Sequence, residues 1–166
     1  MTELRDLEDV VAASVLDEAA DTASLLARLG IPYALVGGLA VGLRGFPRAT
    51  KDVDFMVGPE AFETTEPLLI YRDELKDKVE IGAVDLLAVP TAYPVLAEQL
   101  AVTQPGQLHV IAAEPLILMK LEANRPQDRA DVSRLLQAGV DAEDVAAYLA
   151  EHAPTLLTRF AELLEA

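Results

Sequence analysis

The middle of this chain is punctuated so tightly that few folds can accommodate it. YALVGG, residues 33–38, predicts a short buried strand that ends on two glycines. LAVGLRG, directly after it, predicts a short helix. DVDFMV, residues 52–57, alternates as a strand and is stopped by Gly58-Pro59. Two short strands joined through a glycine-opened helix and a basic loop point to a sheet with helices packed on it.

The rest of the chain extends that pattern. Leu7, Val10, Val11, Val15, Ala19, Ala23, Leu26 and Leu29 recur at helical spacing, with Gly30 and Pro32 as the stop. Residues 60–78 read as a helix plus a polar connection, VDLLAVP as a strand, 92–101 as a helix and LHVIAA as a strand. From Glu114 onward four helices are expected, over 114–124, 127–138, 142–152 and 155–165, punctuated by Pro126, Gly139 and Pro154. The expectation is an α+β fold with a small mixed β-sheet, helices packed on it and a helical C-terminal tail. Residues 1–112 form the α/β core and 113–166 a helical segment packed against it, as a single compact unit.

Composition removes several kinds of chemistry. The 166 residues include no cysteine, so disulfides, zinc–thiolate sites and cysteine nucleophiles are excluded. Two histidines, His109 and His152, read as a structural strand residue and a solvated helix-end residue. No apolar run reaches 18 residues and the start is acidic, so neither a membrane span nor a secretory signal is expected, and a cytoplasmic location is. The net charge of −15 makes nucleic acid a less favoured partner. The two ends carry most of that charge, whereas residues 31–51 hold Arg44, Arg48 and Lys51 with no acid. A local anion site inside an acidic protein follows.

The candidate chemistry lies in residues 36–57. Glycines at a strand-to-helix junction, Gly37 and Gly38, let a phosphate approach backbone N–H groups. Asp52 and Asp54, two apart on a strand, point to one face. Asp85 starts the later strand among apolar neighbours. If that strand lies beside the first, three carboxylates converge, and such a set suits a hard cation. Each feature has a plainer reading. Paired glycines make tight turns, an Asp-x-Asp can be a solvated strand edge, and Asp85 can be an exposed strand start. The order of all four together is what points to a site.

Gly-Gly, thirteen residues, then Asp-Val-Asp resembles the metal-site motif of the DNA polymerase beta-like nucleotidyltransferase superfamily. The full string YALVGGLAVGLRGFPRATKDVDFMV is similar to the branch of AbiEii-type toxins and related minimal nucleotidyltransferases. A later family block, a lysine-bearing helix followed by R-x-x-D-x-x-D, matches LILMKLEANRPQDRADVSRLL at Lys120, Arg125, Asp128 and Asp131. The resemblance spans about residues 30–140. It implies a nucleotidyltransferase fold and a magnesium (or manganese) site made by Asp52, Asp54 and Asp85, with Asp85 as base toward an acceptor hydroxyl. It implies that Gly37 and Gly38 receive the triphosphate and that Lys120 touches a phosphate, with Arg48 a weaker candidate. Asp128 and Asp131 would orient Lys120 or the nucleotide. Read without the motif, Lys120 is a snorkelling lysine and Arg125–Asp128 a local ion pair. Gly38 replaces a serine found in many relatives, the chain is short, and the stretch before Asp85 is brief.

The function implied is transfer of a nucleoside monophosphate from a nucleoside triphosphate to a hydroxyl on a protein, a small molecule or an RNA end, with a toxin–antitoxin setting as one context. The alternatives are a non-catalytic, antitoxin-like partner protein and a nucleotide sensor on the same fold.

Overall fold

The computed structural model describes residues 2–65, 67–82 and 84–166. The chain is α+β, with three central strands. Helices α1 (Thr2–Arg5) and α2 (Ala13–Arg28) lead into β1 (Tyr33–Val36) and α3 (Gly37–Leu43). Then come β2 (Asp54–Val57), β3 (Phe62–Thr64), β4 (Ile70–Tyr71), α4 (Asp73–Glu80) and β5 (Asp85–Ala88). Four helices close the chain: α5 (Ala113–Ala123), α6 (Pro126–Gln137), α7 (Ala142–His152) and α8 (Leu157–Glu165). Among the described residues no helix is long and apolar enough to cross a membrane.

The mixed sheet has the order β1-β2-β5, with β1 antiparallel and β5 parallel to β2. Alternation divides its side chains between two apolar cores. Tyr33, Leu35, Phe55, Val57 and Leu86 pack with Leu16, Ala19, Ala23 and Leu26 of α2. Ala34, Val36 and Met56 join Leu116, Ile117, Val132, Leu149 and Phe160 of the C-terminal helices. Each fully buried leucine or phenylalanine contributes roughly 1.5–3 kcal/mol relative to exposure. The C-terminal helices are therefore fastened to the sheet by its second face.

Local chemistry explains where these helices begin and end. α2 stops when Ile31 N–H reaches back to the Leu26 carbonyl at 3.0 Å. Asn124, at φ 52°, turns the chain out of α5 in a left-handed conformation. Pro126 opens α6 and Asp141 caps α7 by accepting from Glu143 N–H at 2.7 Å.

Several sequence expectations differ from the fold. The helix expected from Leu7 starts at Ala13. Residues 6–8 run as turns bonded three residues back, which lets both Leu7 and Val11 reach the core. The stretch expected to be helical from 60 contains the β3–β4 hairpin, in which Phe62 pairs with Tyr71 and the ring centroids lie 5.1 Å apart at a tilt of 39°. Residues 94–99 wind as a tighter 3-10 turn opened by Pro94. Residues 108–112 of LHVIAA are extended but, among the described residues, make one bridge, Leu35 to Val110, with Leu35 N–H donating to the His109 carbonyl at 2.9 Å. The antiparallel bridge from Tyr33 to Ala101 uses the same edge of β1, so neither segment gains a full strand's ladder.

Candidate active site

The first wall of the site is acidic. Parallel pairing sets Asp54 of β2 directly opposite Asp85 of β5. Neighbouring strands lie about 4.8 Å apart, so two carboxyl groups on the same face are forced together. They stand within hydrogen-bonding reach of each other. Burial pushes the Asp54 carboxyl up to about 6, helped by the charges of Asp85 and then Asp52 and opposed by Lys120. Asp52 does not sit on the strand as expected. Val36–Asp54 is the last pair between β1 and β2, because the chain leaves β1 for α3 at Gly37. The ladder to β5 starts at the same residue, Asp54 opposite Asp85, and its first hydrogen bond runs from Asp85 N–H to the Val53 carbonyl at 2.8 Å.

The glycine pair shapes both sides of the site. Gly37 has φ +68°, which penalises any side chain, and a Cβ there would collide with the Asp54 carboxylate. A Cβ at Gly38 would meet Arg48 Nη2 and Thr50 Oγ at 3.0 Å. The first glycine makes room for an acid and the second for a guanidinium. A serine at 38 would have to share that space with Arg48.

The second wall is a network of paired charges carried by α5 and α6. Leu116, Lys120 and Ala123 repeat at helical spacing on α5 and face the cleft. Lys120 is only 7% exposed. Its ammonium donates to Asp128 Oδ1 at 3.1 Å and lies 3.0 Å from Asp131 Oδ2. Asp131 also accepts both arms of the Arg48 fork, at 2.8 and 2.9 Å, and Gln127 Nε2 at 2.9 Å. Asp128 accepts Arg125 Nε at 2.6 Å, Arg125 Nη2 at 3.2 Å and the Arg125 backbone N–H at 3.1 Å. Burial alone would raise both acids. The hydrogen bonds from Arg125 and Lys120 to Asp128, and from Arg48 and Lys120 to Asp131, outweigh it and hold them below the usual carboxylate range.

Between the walls lies a cleft of about 250 Å³. Asp52, Asp54, Asp85, Gly37, Lys120 and Asp128 line it. Gly38, Arg48 and Asp131 stand behind it, joined to it through Lys120 and α3. Sequence reasoning gave no role to the apolar lining, Val36, Leu87, Leu116 and Met119, and read Arg125, at the mouth, only as part of the later motif block or as a local ion pair with Asp128. The apolar pattern of α5 concealed the first group, since the same leucines serve the core. Asp85 and Leu87 alternate out of the core on β5, and Leu87 is 41% exposed.

All three acids offer oxygen donors of the kind a hard cation takes, and their mutual repulsion favours one. As the side chains stand, among the described residues no three histidines or acids are close enough to hold an ion. The donor chemistry fits a divalent cation, while the carboxylates form an open array rather than a closed cage. No family model and no curated protein matches the chain.

Proposed function

We propose that this protein is a divalent-metal-dependent nucleotidyltransferase. The observation that carries the reading is the cleft itself, with Asp54 and Asp85 side by side on adjacent strands, Asp52 beside them and Lys120 lining the same cavity. The motif resemblance at residues 37–54 and 120–131 supports it independently.

In this reading Asp52, Asp54 and Asp85 hold Mg2+ or Mn2+. The bound ion supplies positive charge that offsets charge on the reacting phosphate. Lys120 contacts a phosphate oxygen with the N–H that neither Asp128 nor Asp131 occupies. Asp128 and Asp131 keep that ammonium in place, and Arg48 acts on it through Asp131. Gly37 leaves the backbone open for the triphosphate beside Asp54. The lining leucines and Met119 give a nucleobase an apolar surface. Asp85, on the exposed face of the edge strand, accepts the proton of an acceptor hydroxyl. The acceptor oxygen bonds to the α-phosphorus, the bond to the β-phosphate breaks, and pyrophosphate leaves.

Incubating the protein with each of the four α-labelled ribonucleoside triphosphates, Mg2+ or Mn2+ and a cell lysate tests this. Label transferred to an acceptor, and absent with Asp54→Asn, supports it. Nucleotide binding without transfer makes the protein a nucleotide sensor. Neither binding nor transfer removes the reading and leaves a non-catalytic partner protein.

A further inference from the structure

We propose that Arg125 grips the outer phosphates of the incoming nucleotide, at the mouth of the cleft; the inference rests on the nucleotidyltransferase reading. Arg125 precedes α6 and its side chain is 75% exposed, unlike Lys120 and Arg48, at 8% and 18%. Exposure would normally leave an arginine free to wander. Here Asp128, whose side chain is 2% exposed, pins it side-on through Nε and Nη2. The Arg125 backbone N–H bonds to the same carboxylate, so its main chain and its guanidinium are both tied to Asp128. Nη1 has no hydrogen-bond partner among the described residues. The result is a guanidinium tied through two of its nitrogens to Asp128, with Nη1 left as a spare donor on a residue that lines the cleft.

Arg48 cannot serve in this way. Its Nε and Nη2 are taken by Asp131 and its Nη1 by the Ala49 carbonyl at 3.2 Å. Lys120 has one N–H to give and sits deeper. A triphosphate is longer than one ammonium can cover, and Arg125 supplies a second cation on the same wall. Pinning removes rotamer freedom before the ligand arrives, so less is lost on binding. A guanidinium also suits a phosphate's paired oxygens. Asp128 thus orders both cations at once, Lys120 through Oδ1 and Arg125 mainly through Oδ2.

Three probes separate the possibilities: inorganic triphosphate, each nucleoside triphosphate and each nucleoside monophosphate, all with Mg2+, titrated by calorimetry. Arg125→Ala is expected to weaken inorganic triphosphate and the bound nucleoside triphosphate by the same factor, about tenfold or more. Monophosphate affinity is expected to stay unchanged. Arg125→Lys, which keeps charge but loses the fork, is expected to fall between, and it carries the test if the alanine variant melts below the assay temperature. Unchanged affinity for all probes returns Arg125 to a simple ion pair with Asp128 and overturns the proposal. Losses for nucleoside monophosphate and triphosphate alike, with inorganic triphosphate unaffected, place Arg125 on the nucleoside and also overturn it. If the unaltered protein binds no triphosphate probe, the nucleotidyltransferase reading falls and this inference with it.

Discussion

The two walls of the cleft are built from the same kind of residue and reach opposite electrostatic states. Asp128 and Asp131 are almost fully buried, yet every lone pair direction meets a cation or an amide. Asp52, Asp54 and Asp85 are less buried, and the charges of Asp85 and Asp52 add to the burial that raises Asp54. Burial by itself therefore does not decide whether a carboxylate is comfortable; the supply of donors does. The helical wall is finished by its own sequence. The strand wall is left in need of positive charge from outside, and that need is the physical content of the metal-site reading.

Breaking the finished wall has the largest expected effect. Asp131→Ala strands Arg48 and Lys120 without their shared partner, and a loss of about 3–5 kcal/mol in unfolding free energy is expected. Denaturant titration measures it. A change below about 1 kcal/mol would show that the network is not structural.

The same kind of deletion on the strand wall should do the reverse to stability. Asp54→Asn, measured without metal, is expected to melt higher than the unaltered protein because one member of a repelling set is gone. Transfer activity is expected to drop by more than about a hundredfold, or ~2.7 kcal/mol. Retention of a tenth or more of the activity would remove Asp54 from the metal site.

Lys120 stands on the helical wall, and its charge acts on Asp54 across the cleft. Lys120→Ala is expected to weaken nucleoside triphosphate binding by roughly 1.5–3 kcal/mol. It is also expected to lower the melting temperature, since Asp128 and Asp131 each lose a donor. Loss of stability with unchanged nucleotide affinity would make Lys120 part of the scaffold alone.

A bound metal ion would supply the positive charge that the strand wall lacks. At about ten times its Kd, Mg2+ or Mn2+ is expected to stabilise the fold by ~1.4 kcal/mol, or roughly 3–6 °C. The Asp52→Asn/Asp54→Asn double variant should lose most of that shift. Equal shifts in the two proteins would assign the effect to the acidic surface at large.

Acidity separates the walls by sign. Asp54 is raised to about 6 from an ordinary 3.8, so the folded state holds a proton that the unfolded chain releases. Its contribution is present below about pH 3.8 and is lost as pH rises through about 6. Asp128 and Asp131 are depressed, so their contribution is present above the ordinary carboxylate range and is lost as pH falls below it. Metal-free melting between pH 4 and 6.5 should fall with rising pH in the unaltered protein and flatten in Asp54→Asn. An unchanged slope in that variant would locate the titration elsewhere.

The sequence made the strand wall more legible than the helical one. An acid opening an apolar strand and a glycine pair before a helix are local signals, and strand pairing converted them directly into the Asp54–Asp85 contact. The C-terminal helices were equally plain, because Pro126 and Gly139 punctuate them. What local pattern could not convey was partnership across distance. Arg48 and Asp131 lie 83 residues apart, and nothing in RATKD reveals that its guanidinium faces α6 rather than the cleft. The β3–β4 hairpin was hidden for another reason. Its strands are three and two residues long, too short for a period of two to show.

Tyr71 gives one feature of this sheet a further meaning. β5 is an outer strand, and the carbonyl of Leu86 on it accepts the Tyr71 hydroxyl at 2.9 Å. An outer strand is the place where a second molecule could add itself by backbone pairing, and proteins guard such margins. Here the guard is a single phenol and a strand only four residues long, followed at once by Val89 and Pro90. A longer covering strand would protect the margin better, but it would widen the sheet beside Asp85. A side chain blocks backbone addition without adding a strand there. Cover for the strand margin and exposure of Asp85 are thereby reconciled at one hydroxyl, and Tyr71→Phe is the substitution that would set them against each other.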